Sequence, residues 1–339
     1  PFHLHYTKIS TRFQAFCIKI FPIYRRFYLF ANPVAERGKI CYNISALQRY
    51  DGIYLDNKED FTQKRREDVL TINQYVKASS LEEAYELNQK RSNVVLGGML
   101  WLKMQKRNVG TAIDLSGLGL DNIEETESEL RIGAMVTLRQ MELHQGLNDL
   151  TDGAARESVR HIVGVQFRNM ATVGGSVFGR YGFSDVLTFL MAAGAEVELY
   201  KRGRLSVEEF AYLPYDNDIL TYVIVPKKPM RAAYLSQRNT KTDFPVLACC
   251  AAQAEEEVRC VIGARPMKAV CLRDERGILA GGITKESAEA FGAFVSETVE
   301  TGSNLRGSAQ YRKIIAGVLA KRALLQIAQM DESEQEGRN

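Results

Sequence analysis

Two glycine pairs, Gly97-Gly98 and Gly174-Gly175, constrain this chain more than any other feature. Adjacent glycines let a backbone approach a second backbone, or an anion, with no Cβ in the way. Several N–H groups can then converge on a pyrophosphate. By itself such a pair more often marks a turn, so the flanking residues decide its meaning.

Around the first pair the pattern alternates strand and helix. Ser79 and Ser80 precede Leu81-Glu82-Glu83, a Ser-x-x-Glu capping box that predicts a helix with Leu81, Ala84, Tyr85 and Leu87 on its apolar side. Asn93-Val-Val-Leu96 predicts a short buried strand running into Gly97-Gly98, and Ala112 to Leu115 predicts another. The unit is a small β-α-β. Ser128 to Ile132 alternates as a strand, and Thr137-Leu-Arg-Gln140 opens a helix with Leu138 and Met141 inward. Near the C terminus Tyr311, Ile314, Ile315, Val318 and Leu325 recur at helical spacing and read as core.

Composition excludes several functions. With 339 residues, 45% hydrophobic and 25% charged, the chain can bury two or three cores. A net charge of +3 sets up no field that would favour nucleic acid or an acidic membrane. The six cysteines show no C-x-x-C pair and no iron–sulfur or zinc spacing, so they read as reduced cytoplasmic thiols and no metal ligands are expected. Gly117-x-Gly119 lacks the third glycine of a Rossmann loop, and His144 and His161 have no metal-ligand spacing. No Gly-x-Ser-x-Gly elbow or Cys–His pairing suggests a hydrolase, and no catalytic acid, base or nucleophile is expected.

Residues 1–68 differ in character. Cys17 to Phe30 is aromatic and basic, but Pro22 and the interspersed charges leave it short of the roughly 20 apolar residues of a membrane span. Lys64-Arg65-Arg66-Glu67-Asp68-Val69 can be encoded as a ribosome-binding sequence followed by a GTG start codon. The expectation is a native start at Val69.

The segment Arg168-Asn-Met-Ala-Thr-Val-Gly-Gly-Ser-Val-Phe-Gly-Arg-Tyr-Gly-Phe-Ser-Asp185 is similar to the Arg-Asn-x-x-Thr-(Ile/Val)-Gly-Gly-Asn motif, with Ser-Asp about ten residues on, of the FAD-binding subunit of the molybdenum hydroxylases, the xanthine dehydrogenase family. Ile132-Gly-Ala-Met-Val-Thr137, Asp218-Ile-Leu220, Arg238 to Pro245, Ile262 to Pro266 and Leu305 to Arg312 extend the resemblance over nearly all of the chain after residue 69. It implies an α+β chain: a PCMH-type FAD-binding fold of two subdomains, 69–122 and 123–229, then a C-terminal α+β domain, 230–330, and a polar tail, 331–339.

By that resemblance Thr172, Val173, Gly174, Gly175 and Ser176 would line the FAD diphosphate and ribityl chain. Asp185 would bond to sugar or ribityl hydroxyls, with a helix-N-terminal role as the alternative. Leu220 would pack near the isoalloxazine. The first loop departs from the family's Ala-Gly-Gly-Thr-Asp-Leu: Leu96-Gly97-Gly98-Met99-Leu100-Trp101 keeps only the amides of Val94, Val95 and the residues through Trp101 for phosphate contact. Trp101 either stacks on a ring or is core. The resemblance further implies separate iron–sulfur and molybdenum-cofactor subunits as partners and NAD+ as acceptor of the flavin's electrons. A flavin-binding scaffold without turnover stays open. Intact-mass measurement of protein made from the native gene should give a chain starting at residue 69; a mass that includes residues 1–68 would sink that expectation.

Overall fold

The computed structural model describes residues 69–255 and 257–337; the expectation for residues 1–68 lies outside the described residues. Three sheets build this part of the chain. β1 (Thr71–Lys77), β2 (Val94–Val95) and β3 (Asn108–Asp114) form a parallel sheet in the order β1-β3-β2. Helix α1 (Leu81–Asn88) connects β1 to β2, which run parallel on either side of β3 and so need a crossover connection. Its N-cap is Ser80, whose hydroxyl accepts from Glu83 N–H, while the Glu83 carboxylate accepts from both N–H and O–H of Ser79.

The second sheet comprises β4 (Ile123–Glu125), β5 (Glu129–Gly133), β6 (Glu196–Leu199), β7 (Gly203–Ser206) and β8 (Leu220–Pro226). It is antiparallel, in the order β4-β5-β8-β6-β7. Between β5 and β6 run six short helices: α2 (Leu138–Leu143), α3 (Gln145–Leu150), α4 (Ala154–Val159), α5 (Val165–Arg168), α6 (Val173–Phe178) and α7 (Asp185–Ala192). Helix α8 (Val207–Tyr212) follows β7. The Thr137–Gln140 box forms in both directions at the start of α2.

The third sheet is antiparallel, in the order β12-β11-β10-β9, from β9 (Met230–Arg238), β10 (Pro245–Ala254), β11 (Glu257–Gly263) and β12 (Val270–Arg273). The first eight residues of β10 are buried on both faces, which explains its unbroken apolar run. Ala248, Cys250 and Ala252 join the core shared with α7 and the second sheet. Leu247, Cys249 and Ala251 face the core built by α9 (Lys285–Thr298) and α10 (Ala309–Gly337). The Cys249 and Cys260 sulfurs lie 3.8 Å apart in that core, and burial pushes the Cys271 thiol up to about 12. Burial likewise raises the Cys250 thiol, so Cys250 and Cys271 stay protonated at neutral pH.

Helix α10 corrects one expectation. Its buried residues are Arg312, Ala316, Leu319, Ala320, Ala323, Leu324 and Ile327, with Ile315 and Leu325 partly buried, whereas Tyr311 and Ile314 are exposed. The reason is the close crossing with α9. A Cβ on Gly317 would stand 2.5 Å from Gly292 O, so the contact face takes small residues rather than the large ones the spacing highlights. Arg312 is fully buried at the start of this helix and donates to the carbonyls of Val246, Gly302 and Gly307 and to Asn304 Oδ1. It ties α10 to β10 and to the loop before the helix. Arg312→Met leaves those acceptors buried without a donor, and urea denaturation should show a loss of about 3–5 kcal/mol. A loss below about 1 kcal/mol would contradict this role.

Candidate cofactor site

The two glycine loops meet backbone to backbone. A Cβ on Gly97 would stand 2.9 Å from Gly175 Cα, and one on Gly175 would stand 2.9 Å from Gly97 O. At Gly98 (φ +79°) a Cβ would lie only 1.9 Å from Met170 O. The next residue, Met99, also holds a left-handed φ of 61°, a strained conformation that tends to mark a ligand clamp. After these two residues the chain enters a single 3-10 turn, Leu102–Met104.

Counting the amides separates the two loops. Val94 and Val95 pair with β3, and Leu96 N–H donates to Ile113 O at 2.8 Å. This corrects the expectation for Val94, Val95 and Leu96, whose backbone is committed to the sheet. From Gly97 to Trp101 no N–H donates to any group among the described residues. In the second loop Val173 N–H donates to Val136 O (2.8 Å), Gly174 N–H to Ala134 O (2.9 Å) and Gly175 N–H to Thr172 Oγ1 (3.1 Å). The start of α6 has therefore met its own orphan donors, and the expected phosphate role of the Val173, Gly174 and Gly175 amides is corrected accordingly.

Gly174 is a packing glycine, since its Cβ would come within 2.6 Å of Ala134 O, and Val173 is wholly buried. Thr172 caps α6 and keeps its own hydroxyl hydrogen available to donate. Ser176 Oγ donates to Thr172 O at 2.9 Å, which leaves it only an acceptor.

A buried ion pair holds the second loop in place. Arg168 Nε donates to Glu142 Oε2 at 2.8 Å and its Nη1 to Ile162 O at 3.1 Å, while Arg139 reaches Glu142 from the exposed side. Burial alone would raise the Glu142 carboxyl, but the hydrogen bonds from Arg168 and Arg139 hold it below the usual carboxylate range. Glu142 thereby fixes the segment that presents Met170 to Gly98.

Two further expectations change. Asp185 is the first residue of α7, after the N-cap Ser184, and is buried. Its Oδ1 accepts from Tyr234 O–H and, at 2.7 Å, from Arg238 Nη2, so that oxygen is committed to joining α7 and β9. Burial raises its carboxyl. Leu220 opens β8 inside the main core at 5% exposure and does not line the cleft described next, because the alternation of β8 turns it inward.

Beside the free amides lies a cleft of about 460 Å³ lined by Trp101, Phe183, Phe244, Met267, Asn304 and Arg306, among others. Trp101, at 37% exposure, is a rim residue rather than core. Its ring centroid is 5.5 Å from Phe244 and 5.9 Å from Phe183, and Phe183 meets Phe244 edge-on at 4.8 Å. Sequence reasoning quoted Phe183, Phe244 and Arg306 within motifs and gave none a role. Their only signal was an aromatic residue near the end of each of two motif segments, Phe183 before Ser184-Asp185 and Phe244 before Pro245. A run of free amides running into an aromatic cleft suits a ligand with a diphosphate and a flat ring system.

Residues 70–228 match the FAD binding domain in molybdopterin dehydrogenase. That stretch is an FAD-binding domain of the molybdopterin dehydrogenase family, and FAD is its cofactor. The Escherichia coli (strain K12) protein YgfM is 28% identical over 255 residues, 73% of this chain and 93% of that protein. The nicotine 6-hydroxylase medium subunit of Paenarthrobacter nicotinovorans is 26% identical over 272 residues, 74% of this chain and 96% of the subunit. Quinoline 2-oxidoreductase from Pseudomonas putida 86 shares the fold, with a TM-score of 0.68 at 18% identity over 77% of this chain and 97% of that one.

Two variants probe this geometry. Gly98→Ala drives a methyl into Met170 O and should lower FAD affinity at least tenfold, about 1.4 kcal/mol, while Gly119→Ala, with nothing within 4 Å, should keep its flavin. Equal retention by both after dialysis would refute the cradle. Arg168→Met should cost about 3–5 kcal/mol at pH 7. The Glu142 carboxylate is held below its unfolded value, so its contribution is present above that value and fades as pH falls through the folded one. The gap to wild type should therefore narrow below about pH 4; a gap that widens there would exclude this pair as its source.

Proposed function

We propose that this chain is the FAD subunit of a molybdenum hydroxylase-type complex, taking electrons from an iron–sulfur subunit that a molybdenum-cofactor subunit reduces. The observation that carries this reading is the run of amides from Gly97 to Trp101, unpartnered among the described residues, that ends in the aromatic cleft. In this proposal the amides of Gly97 to Trp101 and the Thr172 hydroxyl hold the diphosphate, and Trp101, Phe183 and Phe244 enclose the ring. Ser176 accepts from a cofactor hydroxyl, and Asp185, through its second oxygen, does the same. Bound FAD supplies the exchange between one-electron and two-electron transfer, and the protein supplies position, a dry face and charge.

The proposal draws support from the medium subunit of nicotine 6-hydroxylase, a relative matched over almost its whole length. Among the described residues no group of three His, Cys, Asp or Glu could hold a metal ion, and no helix is long and apolar enough to cross a membrane. The acceptor we propose is NAD+, with a cytoplasmic site of action.

Trp101 is the single tryptophan of the chain, so its emission reports on the cleft directly. FAD titrated into flavin-free protein should quench that emission in parallel with binding, and Phe244→Ala should weaken both. Binding without any change in Trp101 emission would place the ring elsewhere. Anaerobic NADH should bleach the bound flavin; a flavin that dithionite reduces and NADH leaves oxidised would overturn the choice of acceptor.

A further inference from the structure

We infer that Arg306 is a positioning residue for the flavin's charge: its guanidinium, set against the Phe244 face of the cleft, holds the reduced ring as an anion. The inference rests on the proposal above that the ring enters this cleft. Every other residue lining the cleft is uncharged, so Arg306 is the lining group that can answer a charge developing on the ring. Its guanidinium carbon lies 4.9 Å from the Phe244 ring centroid. Its backbone is fixed on both sides, with N–H donating to Asn304 Oδ1 at 2.9 Å and the carbonyl accepting from Asn239 Nδ2 at 3.5 Å.

The remaining hydrogen-bonding capacity of Arg306 points to an absent acceptor. Nη2 meets Asp243 Oδ1 at 3.2 Å, but the buried Nε has no partner among the described residues. A buried guanidinium N–H without an acceptor is costly, and an anion in the cleft would remove that cost. The charged groups around it are few. Asp243 pairs with Arg306, Arg312 sits close enough for repulsion, and Arg238 is occupied by Asp185. Two arginines, 306 and 312, against one aspartate, 243, leave one positive charge beside a low-dielectric aromatic wall. The Arg306 side chain is 36% exposed, so a ring seated in the cleft would strip water from it and the charge would then favour the ring state that carries a negative charge.

The consequence is a proton count. Two electrons and one proton convert the oxidised flavin into its reduced anion, whereas two electrons and two protons give the neutral reduced form. A tenfold change in a two-electron equilibrium is about 30 mV, so the potential should fall by about 30 mV per pH unit in the first case and about 60 mV in the second.

The test is the reduction potential of the FAD-loaded full chain, poised with dithionite against reference dyes from about pH 6 to pH 8. Wild type and Arg306→Lys should follow the shallow slope. Arg306→Gln should show a lower potential and the steeper slope while still quenching Trp101 on FAD binding. The same potential and slope in Arg306→Gln and wild type, with quenching intact, would overturn the role of Arg306 and leave the ring's placement standing. Loss of the slope difference together with absence of Trp101 quenching in wild type would instead remove the placement and the inference with it.

Discussion

The contact on which the candidate cofactor site depends is between two backbones. Gly97 and Gly175 touch without side chains, and Gly98 lies under the carbonyl of Met170. Any Cβ there must push the parallel sheet away from the helical layer of the second sheet. The approach has a second effect. It turns the chain out of β2 so abruptly that five consecutive amides, 97 to 101, leave the sheet ladder with no partner among the described residues. Backbone N–H groups are rarely left so, and here the run ends at Trp101, on the wall of a cleft. Left-handed Gly98 and Met99 make that turn possible, and the Arg168–Glu142 pair holds the other side of it still.

The site is assembled from all three sheets. The first contributes the amides and Trp101, the helical layer of the second contributes Thr172 and Phe183, and the third contributes Phe244. Arg306 comes from the loop ahead of α10, which Arg312 fastens to β10. A continuous buried cluster runs from β5 and β8 through α7 into β10, so the aromatic walls of the cleft are fixed by the same packing that stabilises the chain. Asp185, shared between α7 and β9 through Tyr234 and Arg238, is a polar joint in that cluster, and its two donors offset the cost of burying a carboxylate.

Much of this was legible in the linear chain because it depends on neighbours within a few residues. The capping residues at Ser80 and Thr137, the strand that runs into Gly97 and the loop at Gly119 are local events, governed by side chains three or four positions away. The Thr-Val-Gly-Gly segment is also local, and it was enough to identify the resemblance that the family match confirmed for residues 70–228.

What the tertiary structure decided is which of those groups remain free. Gly174 and Gly175 look like phosphate donors in sequence, but Ala134 and Thr172 take their N–H groups, and Ala134 comes from the turn after β5, forty residues earlier. Asp185 looks like a free carboxylate until Tyr234 and Arg238 arrive from β9, and Tyr311 and Ile314 look like core until α9 requires small residues at its crossing with α10. Trp101, Phe183, Phe244 and Arg306 span more than two hundred positions and form one wall only once the chain is folded. Residue type and short-range spacing determined what each segment could become. Hydrogen-bond saturation and burial, which depend on contacts far apart in the chain, determined which groups were left to meet a ligand.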